Sequence, residues 1–143
     1  MKKSSIRKIL IPLDGSKCSM RGLRMAYLIA KAHKAEIVGI HVIHLPFISK
    51  SELPDKILRK LLNKTEQIFL KSIKHLNQKK FSLKKKILFG DNIGRTLSTF
   101  AQKNNFDLIV IGSRGTNPHL EMFLGSVANY LLCKAKTPVL LVK

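Results

Sequence analysis

Residues 112–126 read GSRGTNPHLEMFLGS, with glycines at 112, 115 and 125 and a serine at 126. An apolar run, Leu108-Ile109-Val110-Ile111, stands immediately before them, and a helix-like run, Val127 to Leu132, immediately after. This order predicts an anion site between a strand and a helix. Gly112 and Gly115 can take backbone angles closed to other residues and let a ligand approach the main chain. Gly125 and Ser126 fall at a helix start, where unpaired N–H groups and the positive end of the helix dipole suit a phosphate. The Ser126 hydroxyl adds a further hydrogen bond, and residues 116–124 would arch over to close the loop. GSRG taken alone also fits a plain turn. A second candidate is Asp14, in Pro12-Leu13-Asp14-Gly15-Ser16. It serves either as a polar anchor for a ligand or as the cap of the helix that follows.

Other chemistries find no support. No GxxxxGK[ST] loop, GxSxG elbow or His-Glu metalloprotease pattern occurs. Cys18 and Cys133 are far apart, outside any CxxC spacing, and beside apolar neighbours; they read as small buried hydrophobes. His41 and His44 would point to opposite faces of a strand, and His33, His75 and His119 fall in separate elements. No metal-ligand spacing is met. Tyr27 and Tyr130 read as core-edge residues, and the phenylalanines make no base-stacking platform.

The elements that must position these residues alternate. Strands are predicted at Ile6 to Leu13, Glu36 to Ile43, Lys85 to Phe89, Asp107 to Ile111 and Pro138 to Val142. Helices are predicted from Ser16 to about Lys34, capped by Ser16 or Ser19, and from about Glu52 to Leu76, with an apolar stripe of Ile57, Leu58, Leu61, Ile68 and Ile73. Two more are predicted after Asn92 and from Gly125 onward. Alternation of this kind gives an α/β fold: a doubly wound, five-stranded parallel sheet with helices on both faces. The expected strand order is 3-2-1-4-5. Ligands of such sheets bind beyond the carboxyl ends of the strands where the winding reverses, here between strands 1 and 4. That brings Asp14 and Gly112 together.

The 143 residues suit one domain, 1–143, long enough to bury about 68–70% of the unfolded surface. No apolar run reaches the ~18 residues of a membrane span, and the run after Met1-Lys2-Lys3 is too short for a signal peptide, so a soluble, cytoplasmic protein is expected. The balance of 27 Lys and Arg against 8 Asp and Glu gives a net charge of +19. Such a field attracts nucleotides, nucleic acid or anionic lipid, although a run of charge is more often a solvated face. Twelve of the cations lie between Lys50 and Lys86, against Glu52, Asp55 and Glu66. Self-repulsion at this charge predicts higher stability in salt.

The chain resembles the universal stress protein family. The resemblance rests on the G-x2-G-x9-G-[ST] motif of its nucleotide-binding members, present at Gly112, Gly115, Gly125 and Ser126, and on KILIPLDGS, GIHVI, DLIVIGSRG and TPVLLVK in order along the chain. It implies a Rossmann-like fold that binds ATP, with Mg2+ as a companion of the phosphates. By position it implies that Pro12 and Asp14 contact the adenosine part and that the backbone of Val42 recognises adenine. Gly112, Gly115, Gly125, Ser126 and Val127 would contact ribose and phosphates, with Ser113 and Arg114 inside the motif. It also implies a homodimer, formed through the last strand, 138–142. The function so implied is a small stress-response nucleotide sensor or regulator. Two alternatives stand beside it. One is a slow ATPase, for which Asp14 and Glu121 are the carboxylates within reach. The other is a nucleic-acid or polyanion-binding module, without sequence preference, using the basic helix at 50–86.

Overall fold

The structure, a computed structural model, describes residues 5–116 and 123–143. In chain order the elements are β1 (Lys8–Pro12), α1 (Lys17–His33), β2 (Glu36–His44), a 3-10 turn (Lys50–Glu52), α2 (Asp55–Leu76), β3 (Lys84–Gly90), α3 (Ile93–Lys103), β4 (Leu108–Gly112), α4 (Ser126–Lys134) and β5 (Val139–Val142). The strands form one parallel sheet in the order β3-β2-β1-β4-β5. This is the doubly wound order expected from the alternation of elements.

Side chains alternate across each strand, so the sheet feeds two cores. Leu10, Ile40, Val42, Ile109 and Ile111 face α3 and α4, where Leu97, Ala101, Ala128 and Leu131 meet them. Ile9, Ile11, Ile37 and Val110 face α1 and α2, where Leu23, Ala26, Phe69 and Leu76 meet them. The central strands β1 and β4 are covered on both sides, which is why they read as unbroken apolar runs.

Caps fix the helices. Ser16 Oγ accepts a hydrogen bond from Ser19 N–H at 3.1 Å, so Ser16 rather than Ser19 caps α1. Asn92 Oδ1 accepts from Arg95 N–H at 2.8 Å at the start of α3. Arg95 also grips the Asp91 carboxylate, and this contact holds Asp91 below the usual carboxylate range.

Three expectations need correction. The second long helix begins at Asp55, not near Glu52, because Leu53 precedes Pro54 and is driven to extended backbone (φ −74°, ψ 131°). Its buried stripe is Thr65, Phe69, Ser72 and Leu76; Leu58, Leu61, Ile68 and Ile73 are half-buried, and Ile57 is exposed. Cys133 is exposed, whereas Cys18 is buried. Ala128 and Leu131 set the inward face of α4, and Cys133 lies two residues past Leu131, about 200° further round.

At the amino ends of β1 and β4, Asp107 Oδ2 accepts from the N–H groups of both Arg7 and Lys8 at 2.9 Å. These charge-assisted bonds hold the two central strands together at their starts. Asp107→Ala is expected to cost about 1–3 kcal/mol in urea unfolding without altering the fold. A loss under about 0.5 kcal/mol, the range of neutral surface changes, would refute that role.

Candidate functional site

The β1–β4 ladder pairs Ile9 with Leu108 and Leu10 with Ile109, and the strands then part. A cleft opens beyond their carboxyl ends, at the point where the sheet reverses its winding. Ile40, Val42, Ile93, Leu97, Ile111 and Ala128 give it an apolar wall, while Asp14, His41, Arg114 and Ser126 add polar groups. Of the residues singled out from the sequence, Pro12, Asp14, Val42, Gly112, Arg114, Gly115, Gly125, Ser126 and Val127 all line this cleft.

Each edge of the cleft has a structural cause. Leu13 N–H donates to Ile40 C=O at 2.8 Å, so the polar groups of Ile40 point toward β1. Backbone direction alternates along a strand, so Val42, two residues on, points its N–H and C=O the same way, past the end of β1 and into the cleft. On the near side, Asp14 Oδ1 accepts from Ser16 N–H at 2.9 Å, while Oδ2 faces Gly115, 3.2 Å from where a Cβ there would stand. Asp14 thus braces the turn into α1 with one oxygen and presents the other to the glycine loop. On the far side, α4 begins at Ser126 with Gly125 as its cap residue, and among the described residues no side chain caps it. The first-turn N–H groups of Ser126, Val127 and Ala128 have no acceptor within the helix.

Two motif residues are used differently from expectation. Gly125 N–H donates to Ser113 C=O at 2.8 Å, so it is spent on closing the loop and is not offered to a ligand. Ser113 is buried, its N–H donates to Val142 C=O at 2.8 Å, and it is not among the cleft residues. The glycines also act by closeness rather than by unusual angles. Among the described glycines Gly15 alone has a positive φ, +83°. A Cβ on Gly112 would stand 2.7 Å from the Cys18 carbonyl carbon and oxygen, so this glycine admits α1 against β4. A Cβ on Gly125 would stand 3.3 Å from Arg114 Cα, so this one lets the two ends of the loop meet.

The sequence reading missed His41, Ile93 and Leu97. His41 Nδ1 lies 2.7 Å from Leu13 C=O and covers the end of β1. The β2 run HVIH carried that signal, since a half-buried histidine at a strand's carboxyl end sits where these sheets bind ligands. Residues 117–122, with His119 and Glu121, lie outside the described residues, as does most of the expected arch at 116–124. Among the described residues, Asp14 is the one carboxylate lining the cleft, and no three His, Cys, Asp or Glu side chains are grouped to hold a metal ion.

The family model of the universal stress protein family matches residues 5–143. The chain belongs to the universal stress protein family. Within it, the chain is 34% identical to universal stress protein MJ0531 of Methanocaldococcus jannaschii over 140 residues, 96% of this chain and 82% of that one. The solved structure of MJ0577, from the same organism, superposes with a TM-score of 0.81 at 28% identity, covering 97% of this chain and 96% of the other. A universal stress protein of Archaeoglobus fulgidus, solved in complex with dAMP, superposes with a TM-score of 0.71 at 21% identity, covering 96% and 98%. The Rossmann-like stress-protein fold is therefore shared over essentially the whole chain. Among the described residues, no helix is long and apolar enough to cross a membrane.

Proposed function

We propose that this universal stress protein is a nucleotide sensor or regulator that binds ATP, an adenine nucleotide, in the cleft between β1 and β4. One observation carries the reading. The cleft is an apolar slot with backbone polar groups left over at both ends, those of Val42 at one and the uncapped start of α4 at the other. A flat base fits such a slot. Adenine offers a donor and an acceptor side by side, which matches the N–H and C=O of Val42. Asp14 Oδ2 takes the ribose hydroxyls. The N–H groups of Gly115, Ser126 and Val127, the Ser126 hydroxyl and Arg114 take the phosphates, and Mg2+ travels with those phosphates. Gly112 and Gly125 shape the loop rather than donate to it.

A relative of the same fold held dAMP, which supports an adenine nucleotide here. On this reading residues 1–143 act as one nucleotide-binding domain in the cytoplasm. Two copies pair through β5, an edge strand of the sheet, whose outer backbone groups have no partner strand among the described residues. The test is mass spectrometry of small molecules released by acid from freshly purified protein. The reading expects an adenine nucleotide. Protein that carries none and also fails to bind added ATP would contradict it.

A further inference from the structure

The helix α2 presents a second, separate feature. Thr65, Phe69, Ser72 and Leu76 define its core side. At 100° per residue, the opposite side carries Lys56, Arg59, Lys60, Lys64, Lys71 and Lys74, all exposed, with Asn63, Gln67 and the exposed Leu70 between them. The two acids of the helix, Asp55 and Glu66, lie on its flank instead, and Glu66 is taken by Lys85 of β3. Among the described residues none of these six cations is in a salt bridge. From Lys56 to Lys74 the row is about 27 Å long at 1.5 Å per residue.

We propose that this row is a docking surface for the phosphate backbone of a nucleic-acid duplex, bound without sequence preference. The shape favours a long polyanion, since unpaired cations form one band along the helix, about 140° wide, with the acids Asp55 and Glu66 at its edge. A lipid surface fits less well. An amphipathic helix enters a membrane by its apolar face, and here that face is buried on the sheet. A protein partner also fits less well, because lysine is depleted from protein interfaces and the row carries no aromatic anchor. A single strand would need aromatic side chains to stack its bases, and the row has none. Phosphate contacts of this kind set position and affinity while base contacts set sequence preference. The cleft between β1 and β4 takes no part, so this surface stands or falls independently of the nucleotide site.

The experiment is fluorescence anisotropy of the whole protein with a labelled 24-base-pair DNA duplex of mixed sequence, between 50 and 200 mM NaCl. Six phosphate contacts predict a log–log salt slope of about −5. The variant Lys56→Gln/Lys60→Gln/Lys71→Gln/Lys74→Gln should flatten that slope by about 3 to 4 and weaken binding by about tenfold or more at 100 mM. A control variant, Lys31→Gln/Lys103→Gln/Lys134→Gln/Lys136→Gln, removes the same charge from exposed positions on other elements. It should leave the slope within about 1 of the starting protein. Circular dichroism melts establish that both variants fold. Equal losses in the two variants would overturn the proposal in favour of attraction by net charge alone. So would absence of duplex binding at 50 mM, or binding to phosphatidylserine vesicles in its place.

Discussion

Replacing Gly112 with alanine is expected to destabilise the protein by about 3 kcal/mol, at the upper end of what overpacking costs. The added Cβ would stand 2.7 Å from the carbonyl carbon and oxygen of Cys18 and 2.9 Å from the Cys18 Cβ. Two of those atoms are helix backbone, which cannot rotate out of the way as the end of a side chain can. On the other side of the contact, a Cβ at Gly22 would stand 3.5 Å from Gly112 N. Helix α1 and strand β4 therefore meet where two glycines face each other, and Gly112 is the tight side of that contact. For a chain of this size the loss corresponds to a fall of about 10 °C in Tm. A melting temperature within about 2 °C of the starting protein would show that α1 can move away at little cost.

Gly115→Val should do the reverse, leaving stability nearly intact and removing nucleotide affinity. Among the described residues, the one atom within 4 Å of a Cβ at this position is Asp14 Oδ2, at 3.2 Å. The backbone at 115 is not in the left-handed region, so valine is not strained there. Its methyl groups would project beside Asp14, where the reading above puts ribose and phosphates. An affinity loss of about 100-fold or more for ATP by calorimetry is expected, equal to about 2.7 kcal/mol. The change in folding stability should stay under about 1 kcal/mol. Unchanged ATP affinity would remove Gly115 from the site. Two glycines of one motif thus divide its work, the first seating a helix and the second clearing room for a ligand.

The architecture was legible because β4 and the Ile9 to Pro12 part of β1 are unbroken apolar runs and the elements alternate strictly, which leaves few topologies open. The cleft was legible in outline, since strand order alone brings Asp14 close to Gly112. What stayed hidden depends on contacts between distant segments. The orientation of the Val42 backbone follows from the bond between Leu13 and Ile40, which no spacing in the sequence reveals. The occupation of Gly125 N–H by Ser113 C=O is likewise a contact across the loop. The stripe of α2 misled for a local reason. Thr65 and Ser72 sit on the core face because their hydroxyls donate to the carbonyls of Leu61 and Ile68, at 2.9 and 2.8 Å, so they carry no unmet polarity inward. A reading by hydrophobicity passes over them and selects Ile57, which lies exposed near the helix start.

The most direct test of the nucleotide site is a titration of 15N-labelled protein with ATP, followed by the amide resonances. The account predicts that the largest changes fall on Val42, Gly115, Ser126 and Val127, at the two ends of one slot, with the amides of 55–76 little affected. Changes concentrated on α2 and β3, with those four amides unmoved, would mean that ATP meets only the basic surface and that the cleft between β1 and β4 is not its site.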